Sequence, residues 1–281
     1  MIGIGTSLLM LPQATVSGRK TTILDALFTA TSAVCVTGLA VVDTATHWTG
    51  FGKAIILFLI QVGGLGIVTV VSIGIMLVAD RIGLSHTRVL AADLHTDGYG
   101  SVSKLVRNIV LTTLAFEALF ALALSARFFI AYDYGFSTAA IHGVFHSISA
   151  WNNAGFALYT DSFVGFANDW FLSIALCLAV ILGGIGFPVL RTLASHKLKW
   201  RMWPMHSKLM VSATVVLLVL GTMMFLVFEW SNPRTLGAIP ESARLHSAFF
   251  HSVQTRTAGF NSVDVAALNE ESLLVSTILM F

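Results

Sequence analysis

Phe250–Asn261 reads FHSVQTRTAGFN, ending in a short irregular run, Thr-Ala-Gly-Phe, between apolar segments. Two other stretches match it. One is VFHSISAWNNAGF at 144–156 and the other is LFTATSAVCVTGL at 27–39. Laid on Gly38, Gly155 and Gly259 the three align without a gap, and Phe28, Phe145 and Phe249 each stand ten residues before their glycine. The spacing between glycines is 117 and then 104 residues, far longer than the roughly 20–50 residues of a solenoid repeat.

The surroundings of these stretches set the fold class. The 281 residues are 56% hydrophobic and 11% charged, with a mean hydropathy of +0.84. A soluble domain carries about 25% charged residues, so this chain cannot cover a soluble surface. Its apolar runs approach or exceed the roughly 20 residues that cross a hydrocarbon core. The expectation is an all-α polytopic membrane protein with no enzymatic role and no nucleic-acid partner; its first partner is the lipid bilayer. No basic n-region and no small-residue cleavage site mark a signal peptide. Cys35 and Cys177 have neither the spacing of a metal site nor a plausible disulfide pairing.

Taken in order, 1–12 is too short to span and ends at Pro12. Thr22 and Asp25 make a capping-box-like start with Asp in place of Glu. A short helix then runs from about Ile23 to Ala33 into Val34–Leu39. Phe51–Ala79 is one long apolar segment, expected to be interrupted at Gln61-Val62-Gly63-Gly64-Leu65-Gly66. Asp80–Arg107 reads as a polar connection, and Leu105–Tyr132 as the next span. A second short helix starts at Ser137-Thr138. Trp170–Leu193 spans again, and its Gly183-Gly184-Ile185-Gly186-Phe187-Pro188 echoes residues 63–66. A basic connection at 196–208 precedes a span over Leu209–Trp230. Ser242–Gln254 is the third short helix, and Ser272–Phe281 begins another apolar run. The unit is span, short re-entrant helix, glycine loop, span. The expected repeats are 1–80 (loop 22–40, second helix 51–79), 81–195 (loop 137–157) and 196–281 (loop 242–261).

Lys and Arg bias orients the chain. The connection 191–208 holds Arg191, Lys197, Lys199, Arg201 and Lys208 without an acid, and 80–107 holds Arg81, Arg88, Lys104 and Arg107 against three Asp. The stretch 132–169 has Asp133, Asp161 and Asp169 and no base. The two basic connections are therefore cytoplasmic, and the glycine loops open outward.

A short helix that enters from outside and stops halfway points its negative dipole end at the membrane centre, which favours a cation. The irregular backbone that follows has free carbonyls, and rings of carbonyls replace the hydration shell of a monovalent cation. Glycine permits the conformations that turn carbonyls toward an axis. No carboxylate lies in 36–39, 153–156 or 257–260, which suits carbonyl coordination of potassium better than an acidic calcium site.

FLIQVGGLGIVT, ILGGIGFPVL, FHSISAWNNAGFALYTDSF, FHSVQTRTAGFNSVD and LFTATSAVCVTGL together resemble the pore loops and following helices of the TrkH/KtrB potassium-uptake family. The resemblance implies four membrane-helix, pore-helix, membrane-helix repeats around one pore, with filter carbonyls here at Cys35, Val36, Thr37 and Gly38, at Asn152, Asn153, Ala154 and Gly155, and at Arg256, Thr257, Ala258 and Gly259. It further implies a homodimer in the cell inner membrane, gated from the cytoplasmic side. A cytoplasmic Rossmann-type ring would carry the nucleotide, with potassium as transported ion and no covalent cofactor. With three loops against the family's four, the chain is expected to be a fragment lacking the start of repeat one and all of repeat four.

Several side chains carry further expectations. Arg256 is expected to brace the third loop from behind through backbone carbonyls or Asp264, with Asn261 as a second support. Asn152 and Asn153 are expected to bond across loops. Glu117, mid-span in LAFEALF, is either a cation relay or a buried acid bonded to a neighbouring helix or to Arg127. His142 and His146, at i and i+4, open an alternative reading as a haem or metal oxidoreductase, while His246 and His251 are badly spaced for one face. A permease for another solute with re-entrant loops is the remaining alternative.

Overall fold

The computed structural model describes residues 1–17, 20–81, 99–197 and 199–280. Residues 82–98 of the expected polar connection, Arg88 included, lie outside the described residues, as do Gly18, Arg19, Leu198 and Phe281.

The described chain is helical, with one isolated antiparallel bridge between Thr15 and Trp48. Helix α1 (Ile2–Leu9) leads to α2 (Ile23–Val34), a single turn α3 (Thr44–His47) and the long α4 (Gly50–Arg81). Then come α5 (Tyr99–Ala131), α6 (Phe136–Trp151), α7 (Trp170–Gly184) and α8 (Phe187–His196). Last are α9 (Met205–Glu229), α10 (Glu241–Thr257) and α11 (Glu270–Leu279). First helix, short helix, loop and second helix recur in that order; the first helix is long in the second and third units (α5 and α9), and in the first unit it is the eight residues of α1.

Local sequence explains several of the starts. Thr22 accepts the Asp25 N–H, and Asp25 accepts the Thr22 N–H, so the reciprocal box forms with the shorter acid. Asp169 accepts the N–H groups of Phe171 and Leu172 at the head of α7. Burial alone would raise its carboxyl pKa. Hydrogen bonds from Arg127 (2.8 Å), the Leu172 N–H and Tyr132 (2.9 Å) outweigh burial and hold it below the usual carboxylate range. Pro204 and Pro240 stand immediately before α9 and α10.

Among the described residues three buried clusters, roughly one per unit, make up the core. The first joins Leu9, Ala26, Ala30, Ile56 and Ile60 to Phe145 and Phe156 of the next unit. The second surrounds Leu124, Phe128 and Leu176 and takes in Phe250 and Phe260 from the third. The third packs Phe225, Ala248 and Val275. Each short helix is thus held by its own flanking helices and by its neighbour. Among the described residues, Leu105–Ala131 and Met205–Glu229 are long and apolar enough to cross a membrane, and their outer faces are apolar: Leu122, Ile130 and Val227 are each more than 70% exposed. Such a surface suits an apolar environment and not water.

Two expected boundaries differ. The polar connection after residue 80 ends early, because helix already begins at Tyr99. The glycine-rich stretches also exchange roles. Residues 61–66 do not interrupt α4, which continues through them to Arg81, whereas 183–188 break the second unit's span into α7 and α8 at an angle of 99°. Gly186 takes φ +85°, and Pro188, at the second position of α8, has no N–H to offer the preceding turn. Gly66 is followed by Ile and Val, which can continue a helix.

Candidate functional site

The glycine loops meet at one place. The ends of α2 and α6 are built alike. The N–H of Thr37 bonds the Ser32 carbonyl (2.8 Å) and that of Val36 the Ala33 carbonyl; one unit on, Ala154 bonds Ser149 (2.7 Å) and Asn153 bonds Ala150. This double closure of a helix end needs a left-handed residue. Val36 (φ 56°) and Asn153 (φ 57°) supply it, and for a β-branched valine that conformation is costly. Gly38 (φ 78°), Gly155 (φ 71°) and Gly259 (φ 83°) are left-handed as well.

The third loop departs from the other two. Cys35 and Asn152 cap their helices, but their counterpart Arg256 is still within α10, which runs on to Thr257. Thr257 is not left-handed, and Ala258 and Gly259 both bond back to the Gln254 carbonyl. The gapless alignment therefore does not make the three loops the same backbone.

The loops stand side by side in chain order. A Cβ on Gly38 would overlap the Ala154 carbonyl oxygen, and a Cβ on Gly155 the Ala258 carbonyl oxygen; Gly259 has nothing of this chain within 4 Å of that position. The three glycines line one open cavity of about 260 Å³, whose rim includes Asp43, Thr160 and Asn261. Rim contacts follow the same order. Thr160 donates to Asp43 (2.9 Å), Asn261 N–H donates to Ser162 (3.0 Å), and Phe163 N–H donates to the Asn261 carbonyl (2.8 Å). Asn261 thus ties the third loop to the second through its backbone.

Behind the loops, the second helix of a unit crosses the end of its short helix at a glycine. A Cβ on Gly63 would overlap the Val34 carbonyl oxygen, and one on Gly183 the Trp151 carbonyl oxygen. Asn152 donates through Nδ2 to Glu117 Oε1 (3.0 Å), to Gln61 Oε1 (3.1 Å) and to the Ile148 carbonyl, and Gln61 donates to Glu117 Oε2 (3.0 Å). Asn153, with its amide turned to suit both partners, donates to the Val180 carbonyl (3.0 Å) and accepts from the Gly184 N–H (3.2 Å).

Glu117 is the buried acid expected to bond a neighbouring helix: it takes Gln61 of α4, with Asn152 beside it, while the other partner considered, Arg127, pairs with Asp169. Three expected contacts are corrected by these distances. Asn152 and Asn153 reach the helices behind their loop, not the neighbouring loops. Arg256 directs Nη2 to Thr214 of α9 (3.4 Å), and Asp264 caps its own short turn by accepting the Ala266 N–H. Each side chain takes another partner than the expected one. Finally, His146 uses both ring nitrogens within the protein, on the His142 carbonyl (2.8 Å) and the Leu158 N–H (3.1 Å), and His142 bonds the Tyr159 hydroxyl (2.9 Å). Neither ring of the proposed pair is arranged as a ligand, and among the described residues no group of three or more His, Cys, Asp or Glu could hold a metal. His246 bonds the Ala167 carbonyl, and His251 packs edge-on against Phe225.

Gln61 is the bracing residue that sequence reasoning passed over. It lies in the quoted QVGGLG, but a polar side chain beside glycines inside an apolar run was the only signal, and its partners are 56 and 91 residues away.

Comparison with known proteins agrees with this architecture. The family model described as "TrkH: Cation transport protein" matches residues 2–281. The Ktr system potassium uptake protein B of Bacillus subtilis (strain 168) is 38% identical over 278 residues, covering 99% of this chain and 61% of that protein. The protein of the same name from Vibrio alginolyticus is 40% identical over 274 residues, 97% of this chain and 59% of its own. The potassium/sodium uptake protein NtpJ of Enterococcus hirae is 36% identical over 282 residues and 61% of its length. The chain therefore spans about three fifths of these relatives, all of them named as transport proteins and none as an enzyme. Among solved structures, the potassium transporter TrkH from Vibrio parahaemolyticus superposes with a TM-score of 0.69 at 17% identity, covering 100% of this chain and 53% of that one, which is a likeness of fold.

Proposed function

The chain belongs to the TrkH family of cation transport proteins, and we propose that it forms three walls of a potassium-uptake pathway lined by backbone carbonyls. The observation that carries this reading is the side-by-side placement of Gly38, Gly155 and Gly259, all left-handed, around a single cavity. Potassium enters from the outer cavity and sheds water at carbonyls of 35–38, 152–155 and 257–259, where the short helices add their negative dipole ends. Arg256 belongs to the supporting shell, held toward α9. The repeats are 1–80, 81–195 and 196–281, with the loops facing outward in the cell inner membrane.

The names of the relatives, potassium uptake in two and potassium/sodium uptake in a third, support a monovalent alkali cation as cargo. Gating from the cytoplasmic side, assembly as a homodimer and control by a nucleotide-binding Rossmann-type ring complete the proposal, on the strength of family membership.

Full-length Gly155→Asp tests the filter. It is expected to reach the membrane and lose potassium uptake, since the new side chain meets both a disfavoured left-handed backbone conformation and the Ala258 carbonyl. Normal uptake overturns the assignment.

A further inference from the structure

The two asparagines of the second loop divide their work. Asn152 reaches forward to α4 and α5, while Asn153 reaches into α7. The atoms Asn153 engages are special. The Val180 carbonyl and the Gly184 N–H are four residues apart on α7, the pair that would serve each other in a regular ladder, and the amide bridges them at 3.0 and 3.2 Å. The helix is regular through this pair to Gly184, so the amide clasps the last turn of α7 from outside and does not replace a bond of the ladder. Two residues later the chain turns at Gly186 (φ +85°), and α8 leaves at 99°.

The first unit provides an internal comparison. Gly63-Gly64 corresponds to Gly183-Gly184, and the left-handed residue before the loop glycine is Val36 where the second unit has Asn153. Valine has no amide to offer the ladder, and α4 continues unbroken to Arg81. The unit whose last helical turn is held by an amide is the bent one. Gly186 and Pro188 suffice to break the helix, so the amide's contribution is to fix the angle and to tie it to the loop. Asn153 itself sits two residues before Gly155, with φ 57° and its own N–H on the Ala150 carbonyl.

We propose that Asn153 is a positioning residue that couples the second glycine loop to the break between α7 and α8, so that a swing of α8 alters the loop's preference among cations. The proposal rests on reading that loop as part of the cation pathway. Coupling of this kind is reciprocal: releasing the amide loosens the bend, and altering the bend perturbs the loop.

The distance measurement uses the full chain with Cys35→Ser and Cys177→Ala, spin-labelled at cysteines replacing the exposed Ile174 and Ser195, in nanodiscs; uptake and discrimination are measured in the chain that keeps Cys35 and Cys177 and carries no label. A right-angle break places these labels about 20 Å apart and a continuous helix about 32 Å. The parent should give one narrow population near the shorter distance. Asn153→Gly, which keeps the left-handed backbone and deletes the amide, is expected to broaden the distribution toward longer distances and to reduce potassium-over-sodium discrimination in uptake several-fold. Pro188→Ala should change discrimination in the same way. A distribution as narrow in Asn153→Gly as in the parent overturns the coupling. If that variant fails to reach the membrane, Asn153→Asp decides: it keeps the acceptor for Gly184 but loses the donor for Val180, and an unchanged distribution there has the same consequence. The distance does not depend on transport. A broadened distribution alongside normal uptake in Gly155→Asp would retain the coupling and remove the filter reading; the opposite pair would do the reverse.

Discussion

The side-chain amide of Asn152 lies 3.0 Å from the carboxylate of Glu117, joining the residue that ends the second short helix to the middle of a membrane-spanning helix. Gln61 closes the triangle with bonds to both. Three polar side chains from α4, α5 and the second loop therefore satisfy one another around the buried Glu117, and removing that carboxylate leaves the half-buried amides of Gln61 and Asn152 without their shared partner.

Glu117→Ala should consequently lower stability by about 1–3 kcal/mol, the cost of leaving buried donors unpaired. The measurement is thermal unfolding of the full chain in detergent, compared with Leu122→Ala on the lipid-facing surface of the same helix. An equal effect from both substitutions would show that the triangle contributes nothing particular.

The glycines under the short helices give a sharper contrast. Gly63→Ala and Gly183→Ala each drive a methyl group into a backbone carbonyl, of Val34 and Trp151, that cannot rotate away. Each should cost about 1–3 kcal/mol through forced backbone shifts. Gly66→Ala, with nothing within 4 Å of the new carbon, should stay within about 0.5 kcal/mol. Expression and melting temperature of the three variants decide the matter, and a Gly66 variant as damaged as the others would contradict the packing described.

Asp169 carries a pH dependence whose sign is set by its depressed pKa in the folded state. Its stabilisation is fully present above the unfolded value of about 4 and is lost as the pH falls through the lower folded value. The stability difference between the wild type and Asp169→Asn should therefore be constant from about pH 5.5 to 8 and shrink below about pH 4. A difference that grows on acidification would refute the pairing with Arg127 and Tyr132.

His146→Leu removes the acceptor of the Leu158 N–H just beyond the second loop. It should destabilise by about 1–3 kcal/mol without any change in the visible spectrum or metal content of the purified protein. Loss of a haem band or of stoichiometric metal in that variant would revive the oxidoreductase reading.

What could be read from the amino-acid order alone was what depends on neighbours along the chain. Hydropathy and the paucity of charge determined a helical membrane protein, and the Thr22–Asp25 box marked the start of α2 because a cap is made within four residues. The register of Phe28, Phe145 and Phe249 against their glycines located all three loops for the same reason. Tertiary structure decided everything that turned on distant partners. Two similar glycine stretches became one continuous helix and one broken one, and the last turn before the break is met by the Asn153 amide from another element. The third loop has its glycine in place, yet its helix runs two residues longer than the other two. Arg256 went to Thr214 and not to Asp264, and Glu117 to Gln61 and Asn152 and not to Arg127. A buried polar group takes whichever partner the packing brings within about 3 Å, and sequence spacing carries no record of that choice.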